Sequence, residues 1–227
     1  MRKIAFFDID GTVFRSSLLI QLVEELIVQN VFPKEARLGY VDAYTAWQDR
    51  EDTYEAYIDA IIKTYMTHIK GVHYGTLADI GRMVVEKQGK HVYRYTRDLI
   101  KELKEQNYFV VAISQSPKTV LDEFCKNYGF DKVYGRMYEL GPQDLFTGKT
   151  IDVHLIENKA NIIRRVLEDE EFTSDDSVGV GDTEGDIPLL DMVARPICFN
   201  PNAALYEHAK RMGWSVVVER KDVIYKI

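Results

Sequence analysis

The sequence predicts an α/β protein with a doubly wound, mostly parallel sheet and an all-helical insertion. Three short apolar runs, at residues 4–7, 108–113 and 176–180, have the pattern of strands buried on both faces. Helical patterns separate these runs, and strands that alternate with helices are typical of a parallel sheet. Polar residues follow each run, at the sheet edge where ligands bind in open α/β folds.

The composition limits the classes of partner. The 227 residues carry a formal net charge of -7, and 46% of them are hydrophobic, which is enough for one domain with a sizeable insertion. The acidic balance argues against nucleic acid and anionic membranes as partners, because both bind cationic surfaces. Apolar runs are too short for a signal core or a membrane-spanning helix. We therefore expect a cytoplasmic protein that acts on a small solute, while the sequence does not indicate an oligomeric state.

The first predicted strand ends in two carboxylates. Asp8 closes the strand, Asp10 follows one residue later, and Gly11 lets the backbone turn sharply behind them. A pair of carboxylates at this edge suits a cation site, a proton-transfer site, or both. The same pattern, taken alone, equally fits a solvated turn after a strand.

Residues 16–90 have helical patterning, and we interpret them as a cap inserted between residues 1–15 and 91–227 of the sheet domain. Leucines at helical spacing begin the insertion at Leu18, and Pro33 ends the first helix. Further helices are expected over 34–48, 53–69 and 76–88. The aromatic residues of this segment are interpreted mainly as packing residues of a small helical bundle, and they are Tyr40, Tyr44, Trp47, Tyr54, Tyr57 and Tyr65.

The remainder of the chain alternates between strands and helices. Strands are expected over 108–113, 132–134, 176–180, 195–199 and 215–219, with helices over 96–106, 117–128, 157–168, 186–193 and 203–212. Segments 135–140 and 146–152 are predicted to form a hairpin around a loop at 141–144. Cys125 and Cys198 lie in apolar contexts, which argues against a disulfide.

Residues that could bind and hydrolyse a phosphate ester occur in order along the chain, most of them at the ends of predicted strands. They are Asp8, Asp10, Ser114, Lys159, Asp182 and Asp186. Mg²⁺ prefers hard oxygen ligands and keeps positions for water and phosphate. One carboxylate can attack phosphorus while a second protonates the leaving alkoxide and then activates water. A hydroxyl and a lysine can bind the phosphoryl oxygens.

These residues resemble the four ordered motifs of the haloacid dehalogenase superfamily. The motifs read Asp8-Ile9-Asp10-Gly11-Thr12, then Ser114, then Lys159, then Gly181-Asp182 with Asp186. The segments 114–117, 146–149 and 181–190 are similar to subfamily IB, the phosphoserine phosphatase-like hydrolases. The resemblance covers the sheet domain and is weak across the helical insertion.

The resemblance implies a Rossmann-like core, a helical cap and a Mg²⁺-dependent phosphatase acting through an aspartyl-phosphate. Asp8 would be the nucleophile and Asp10 the general acid and base. Mg²⁺ would be held by the carboxylates of Asp8 and Asp182 and by the main-chain carbonyl of Asp10, with Asp186 nearby. The expected phosphate-binding residues are Ser114, Lys159, Gly11 and Gln115.

Two departures weigh against phosphoserine as the substrate. Ser17 stands where the similar phosphatases carry an acid for the substrate ammonium group, and Gln115 and Ser116 stand where they carry glycines. We expect another small phosphorylated metabolite, and the aromatic content of the cap could suit a quaternary amine. Candidate specificity residues are Arg15, Ser17, Tyr44, Trp47 and Arg50.

The same residues also fit two other functions. A catalytically silent phosphate-binding or regulatory protein on the same fold, and a phosphatase that acts on a phosphoprotein, remain alternatives. A receiver-type signalling module is disfavoured because its phosphoacceptor would lie on a later strand. The loop from Gly179 to Gly185 has one residue too many for a dinucleotide-binding motif.

Overall fold

The computed structural model of the chain describes residues 1–169 and 171–227, apart from the side chains of Leu155 and Glu157. Within these residues, eight strands form one sheet. The strands are β1 (Arg2–Asp8), β2 (Phe109–Pro117), β3 (Lys132–Leu140), β4 (Phe146–Ile151), β5 (Phe172–Gly181), β6 (Arg195–Phe199), β7 (Ser215–Arg220) and β8 (Val223–Lys226). Their order across the sheet is β4-β3-β2-β1-β5-β6-β7-β8.

The strand order confirms a doubly wound, mostly parallel sheet. β1 pairs in parallel with β2 on one side and with β5 on the other, while β3–β4 and β7–β8 are antiparallel hairpins. The chain therefore starts in the centre, builds one half of the sheet, and returns to build the other half from β5. This reversal creates a switch point beyond the carboxyl ends of β1 and β5, which is where ligands bind in such sheets.

Ten α-helices lie between these strands in the described part of the chain. They are α1 (Leu18–Val28), α2 (Val41–Gln48), α3 (Tyr54–His68), α4 (Tyr74–Gln88), α5 (Arg94–Glu105), α6 (Lys118–Lys126), α7 (Val153–Glu157), α8 (Lys159–Leu167), α9 (Ile187–Leu190) and α10 (Ala203–Met212). Among the described residues, none of these helices has both the length and the apolar character needed to cross a membrane.

The helices cover both faces of the sheet, as the alternation along β1 requires. Ala5 and Phe7 point into one hydrophobic core, which also takes in side chains of α1, α3 and α4. Ile4 and Phe6 point into a second core on the opposite face, which contains side chains of α8 and α10. Since successive side chains of a strand face opposite sides, the unbroken apolar run of β1 reflects burial on both.

The helical segment enters and leaves the sheet domain through two paired stretches of chain, which we call the neck (residues 13–15 and 91–93). The backbone N–H of Arg15 donates to the carbonyl of His91 over 2.9 Å, and that of Tyr93 donates to the carbonyl of Val13 over 3.0 Å. The neck is therefore a short antiparallel pairing.

Glu219 on β7 fixes this neck to the sheet. Its carboxylate is almost fully buried and accepts a hydrogen bond from the Arg15 guanidinium at 2.6 Å. The same carboxylate accepts the free backbone N–H groups at the start of α5, from Arg94 at 3.2 Å and from Tyr95 at 2.8 Å. One side chain thus satisfies a helix N-terminus and a neighbouring cation together.

The helical segment also contacts the β3–β4 hairpin. The rings of Tyr65 on α3 and Tyr138 on β3 have centroids 5.1 Å apart. The backbone of Phe146 on β4 accepts from Gly71 at 2.8 Å and donates to Val72 at 2.9 Å. These contacts join the helices to the sheet at a point distant in sequence from the neck.

Several boundaries differ from the sequence predictions. β2 continues through Ser114 to Pro117, and residues 132–140 form one strand rather than two. The helix predicted over 157–168 is divided at Asn158, whose side chain caps α8 through the N–H of Ala160. β8 was not predicted. Cys125 and Cys198 are buried and free, as expected.

Candidate active site

Carboxylates meet at the switch point beyond β1 and β5. Asp8 is the last residue of β1, Asp182 directly follows β5, and Asp186 lies one turn further on. Oxygen atoms of these three side chains lie within 4.8 Å of one another, and we call the three the carboxylate group. The two acidic motifs, separated by more than 170 residues of sequence, therefore lie together.

Lys159 is buried against this group. Its ammonium Nζ donates to Asp8 Oδ1 and to Asp186 Oδ1, each over 2.5 Å. The side chain starts from the first turn of α8, which the Asn158 cap holds in place. A buried cation in contact with two carboxylates offsets part of the repulsion between them. The same positive charge would stabilise a phosphate group bound beside these carboxylates.

The loop that carries Asp182 is folded around Asp186. The Oδ2 atom of Asp186 accepts the backbone N–H groups of Asp182 at 3.0 Å and Thr183 at 3.1 Å. The Asp182 carboxylate in turn accepts from the Thr12 hydroxyl at 3.2 Å. Since both oxygens of Asp186 already accept hydrogen bonds, Asp8 and Asp182 have more freedom to bind a metal.

The carboxylate group fits a hard cation. Asp8 Oδ2 is buried and has no hydrogen-bond partner among the described residues. A buried carboxylate oxygen without a partner is costly unless a cation or proton occupies its lone pairs. Oxygen donors from two or three carboxylates are the protein ligands that Mg²⁺ takes.

Burial strongly perturbs the ionisation of this group. Burial raises the pKa of Asp8 to about 7, although Lys159 opposes the rise. Burial also raises the pKa of Asp182 well above its ordinary value, and the charges of Asp8 and Asp186 raise it further. Burial alone lowers the pKa of Lys159, but Asp186 and Asp8 outweigh it and hold that pKa above its usual value. The lysine therefore stays charged at neutral pH.

Asp10 lies on the other side of the turn and faces hydroxyl groups. Its Oδ1 accepts the backbone N–H of Leu18 at 2.6 Å. Its Oδ2 accepts from the hydroxyls of Ser114 and, at 2.8 Å, Ser116. Burial raises the pKa of Asp10, and these hydrogen bonds oppose the rise. Ser114 is thus brought to the site, but its hydroxyl is directed at Asp10.

Two features of position 11 require glycine: the left-handed backbone conformation and the close approach of the Asp182 side chain. The Gly11 φ of +83° is a left-handed conformation that glycine adopts without strain, and a Cβ here would collide with the Asp182 carboxylate. Gln115 is exposed, and its amide oxygen accepts from Arg136 on β3 at 2.8 Å. The phosphate-binding roles predicted for Gly11 and Gln115 stay predictions.

The candidate specificity residues occupy different environments. Arg15 is held by Glu219 and lies over the Tyr93 ring at 5.0 Å, whereas Ser17 is buried at the start of α1. Arg50 is exposed beyond the end of α2. In the described structure, no side-chain hydrogen bond or ion pair joins Arg15, Ser17 or Arg50 to the carboxylate group.

The cap aromatics divide into two sets. Tyr40, Tyr57 and Tyr65 are buried as predicted for packing residues, whereas Tyr44 and Tyr54 keep 42% and 39% of their surface exposed. Trp47 stacks on Tyr57 with a centroid separation of 5.6 Å. We call the contiguous set the aromatic group, and its members are Tyr44, Trp47, Tyr54 and Tyr57.

Within the aromatic group, the Tyr54 phenol is influenced by the charge of the site. Burial raises the pKa of the Tyr54 phenol, and the negative charges of Asp10 and Asp182 raise it further. Tyr54 was not among the predicted specificity residues and belongs to no motif, whereas Ser116 lies in the motif segment 114–117 but was noted there only as a departure from glycine. Only the helical spacing of the aromatics pointed toward Tyr54.

Comparison with known proteins assigns the family. A family model described as haloacid dehalogenase-like hydrolase matches residues 5–191, which include all four predicted motifs. The chain belongs to the haloacid dehalogenase-like hydrolase family. The family predicted from the motifs is therefore confirmed, and the carboxylate group lies where this hydrolase's parallel strands end.

Relatives of this hydrolase include a histidinol-phosphatase from Neisseria meningitidis, which is 26% identical over 96% of this chain and 99% of that protein. A protein of unknown function from Bordetella pertussis Tohama I has a similar structure, with a TM-score of 0.74, 20% identity, and 95% and 98% of the two chains covered. A phospho-aspartyl intermediate analogue of phosphoserine phosphatase gives a TM-score of 0.62 at 21% identity, covering 97% and 95%. The structural likenesses show the shared fold.

Proposed function

We propose that this hydrolase is a Mg²⁺-dependent phosphatase that cleaves a small phosphate monoester through a phosphorylated Asp8. The observation that carries the proposal is the burial of Asp8 between Lys159 and two further carboxylates at the switch point. Membership of a hydrolase family and the histidinol-phosphatase relative support the general reaction.

Two carboxylates divide the chemistry. Asp8 attacks phosphorus as the bond to the alcohol oxygen breaks, and Asp10 gives that oxygen a proton. Asp10 then takes a proton from the water that attacks the phosphorylated Asp8, which releases inorganic phosphate and restores both side chains. Lys159 and the Ser114 hydroxyl bind phosphoryl oxygens, so Ser114 turns from Asp10 to the substrate.

The metal would be held by the carboxylates of Asp8 and Asp182, with Asp186 beside them and the main-chain carbonyl of Asp10 as a further ligand. When bound, Mg²⁺ supplies positive charge that stabilises the phosphoryl oxygens in the transition state. Asp8 has one buried oxygen that no described residue hydrogen-bonds, which supports this assignment.

Residues 16–90 are proposed to act as a cap over the site. The neck carries the chain between this segment and the sheet, and the first helix of the segment donates the Leu18 N–H to Asp10. Closure of such a segment would exclude water from the phosphorylated Asp8 and would select the alcohol group.

The aromatic group supports a substrate with a flat or cationic alcohol portion. Tyr44 and Tyr54 keep part of their rings exposed, and the charges of Asp10 and Asp182 act on the Tyr54 phenol, an arrangement that favours cations and stacked rings. The histidinol-phosphatase relative acts on a compound of this kind, according to its name. Ser17, which cannot offer a charge to an ammonium group, weighs against phosphoserine.

Hydrolysis of an aryl phosphate with Mg²⁺ or with a chelator tests the proposal. We expect metal-dependent release of phosphate, and we expect Asp8→Asn to lower kcat by at least about a thousandfold, because the nucleophile is lost. A panel of histidinol phosphate, phosphocholine, phosphoserine and a sugar phosphate then ranks the alcohols.

Asp122→Asn is the matched control, since Asp122 pairs with Lys118 on the exposed side of α6. The control should keep the activity of the unmodified protein, and both variants should unfold at similar temperatures. Near-normal turnover by Asp8→Asn would exclude the covalent route, and release that persists in chelator would exclude the metal.

A further inference from the structure

Ser116 connects three parts of the molecule through one buried hydroxyl. The residue is 2% exposed and lies on β2 next to Pro117. Its hydroxyl donates to Asp10 Oδ2 at 2.8 Å and accepts the backbone N–H of Leu19 at 3.1 Å. A continuous chain of hydrogen bonds therefore runs from the first turn of α1 through Ser116 to Asp10.

The start of α1 depends on this arrangement. Ser17 occupies the N-cap position of α1 but its side chain makes no capping hydrogen bond. The carboxylate of Asp10 instead accepts the Leu18 N–H, and the Ser116 hydroxyl accepts the Leu19 N–H. The helix is thus capped by two side chains from the catalytic end of the sheet.

Substrate binding would remove one hydrogen-bond donor of Asp10 and leave the other in place. If Ser114 turns to a phosphoryl oxygen, Asp10 Oδ2 loses that hydrogen bond. Ser116 is enclosed behind it and would remain as the side-chain donor that fixes the carboxylate plane. A general acid must be held within hydrogen-bond reach of the leaving oxygen, so the orientation of this carboxylate affects turnover directly.

We propose that Ser116 is a positioning residue that orients Asp10 and couples it to the first turn of α1. The inference rests on the proposed function, in which Asp10 transfers the proton. Because α1 begins the helical segment, a displacement of its first turn would break the Leu18 and Leu19 hydrogen bonds and release Asp10. The position of α1 would then determine whether the Asp10 carboxylate is oriented for proton transfer.

The test compares Ser116→Ala with Ser177→Ala. Ser177 is also buried, at 1% exposure, and its hydroxyl also accepts a backbone N–H, that of Ala194 at 3.0 Å. It lies on β5 five residues before Asp182 and makes no contact with Asp10 in the described structure. Each variant therefore removes a buried hydroxyl that accepts one backbone N–H, but only Ser116→Ala removes a donor to Asp10.

We expect Ser116→Ala to lower kcat roughly tenfold, the order expected for one hydrogen bond to a charged group, with KM within about twofold of the unmodified protein. Ser177→Ala should keep both constants while losing a similar amount of thermal stability. Equal kcat values in the two variants would overturn the inference, since capping alone would then explain Ser116.

A second measurement separates this inference from the proposed function. The urea midpoints of Ser116→Ala, Asp10→Ala and the double variant form a cycle that needs no activity. A midpoint loss in the double variant that is smaller than the sum of the single losses supports the coupling, and additive losses contradict it. An unmodified protein without phosphatase activity would defeat the proposed function while leaving this cycle to decide the role of Ser116.

Discussion

At the scale of the residue, the carboxylate group has more negative charge than its surroundings offset. Lys159 contacts Asp8 and Asp186, and the pKa of Asp8 still rises to about 7 because the side chain is buried. In the metal-free protein, protons therefore compete for the oxygens that a cation would use. Metal affinity should fall as these oxygens become protonated.

This competition gives the metal response a defined pH dependence. The folded-state pKa of Asp8 lies above its ordinary value of 3.8, so the folded protein binds more protons than the unfolded chain between about pH 4 and 7. Its contribution to the free energy of unfolding therefore falls as the pH rises through that window. We expect added Mg²⁺ to raise Tm more at about pH 8 than at about pH 5.5, measured by thermal unfolding.

Two variants, one on β5 and one in the loop after it, test whether the carboxylate group causes the Mg²⁺-dependent rise in Tm. Asp182→Asn should lose most of the Mg²⁺-dependent rise in Tm. Asp176→Asn should keep it, because Asp176 is an exposed residue of the same strand that pairs with Lys3. A rise in Tm of equal size at both pH values would contradict the assignment of the metal to these carboxylates.

Single residues also show how far the sequence can define the site. Asp8, Lys159 and Asp182 could be found because each follows a recognisable strand or opens a helix. The contacts of Ser116 with Asp10 and of Glu219 with Arg15 could not, because the partners are 106 and 204 residues apart and no local pattern marks the pairs. The predicted contact of Arg15 with substrate stays a prediction.

At the scale of the element, α3 is fixed to the sheet by Tyr65. The ring is fully buried, against Phe32 of the helical segment and Tyr138 of β3. Its hydroxyl has no hydrogen-bond partner in the described part of the chain. The packing of the ring, rather than its polar atom, should therefore account for the contribution of Tyr65 to stability.

Two substitutions separate the ring from the hydroxyl. Tyr65→Ala should lower the free energy of unfolding by about 3 to 5 kcal/mol, because it leaves a cavity between α3 and β3. Tyr65→Phe should change it by less than about 1 kcal/mol, since no hydrogen bond is lost. Urea unfolding measures both, and a large loss for Tyr65→Phe would show that the hydroxyl has a partner, such as a buried water.

Element boundaries were predicted less well than elements, for physical reasons. The sequence predicts one strand over 132–134 and a separate hairpin segment from Gly135, but β3 passes through Gly135, where a Cβ would lie 2.6 Å from Leu121 Cδ1 on α6. The glycine allows close packing of helix on strand rather than a turn. β8 has only four residues, and its short run Val223-Ile224-Tyr225 forms a strand through antiparallel pairing with β7, which the sequence alone does not show.

At the scale of the whole molecule, one hydrophobic core serves both the sheet and the helical segment. Phe7 and Val110 of the sheet belong to the same cluster of buried residues as Leu22, Ile61 and Val84 of the helices. The contact of α3 with the hairpin extends this core away from the neck. The helices are therefore stabilised largely by surfaces outside their own segment.

We expect a single cooperative thermal transition for the full chain. The calorimetric and van't Hoff enthalpies should agree, with a ratio of about 1, because the buried apolar residues of the helical segment belong to the same core as those of the sheet. Differential scanning calorimetry measures the ratio. Two resolved transitions would show that the proposed cap, residues 16–90, unfolds independently of the sheet.

The neck has a consequence for protein engineering. Its two stretches are joined by backbone hydrogen bonds and are fixed to β7 by Glu219, so the ends of the inserted chain lie side by side whatever connects them. A helical segment from another protein, with similarly close ends, could therefore be grafted at this point without separating β1 from α5. The fold thus offers an attachment point at which selectivity could be redesigned on an unchanged catalytic sheet.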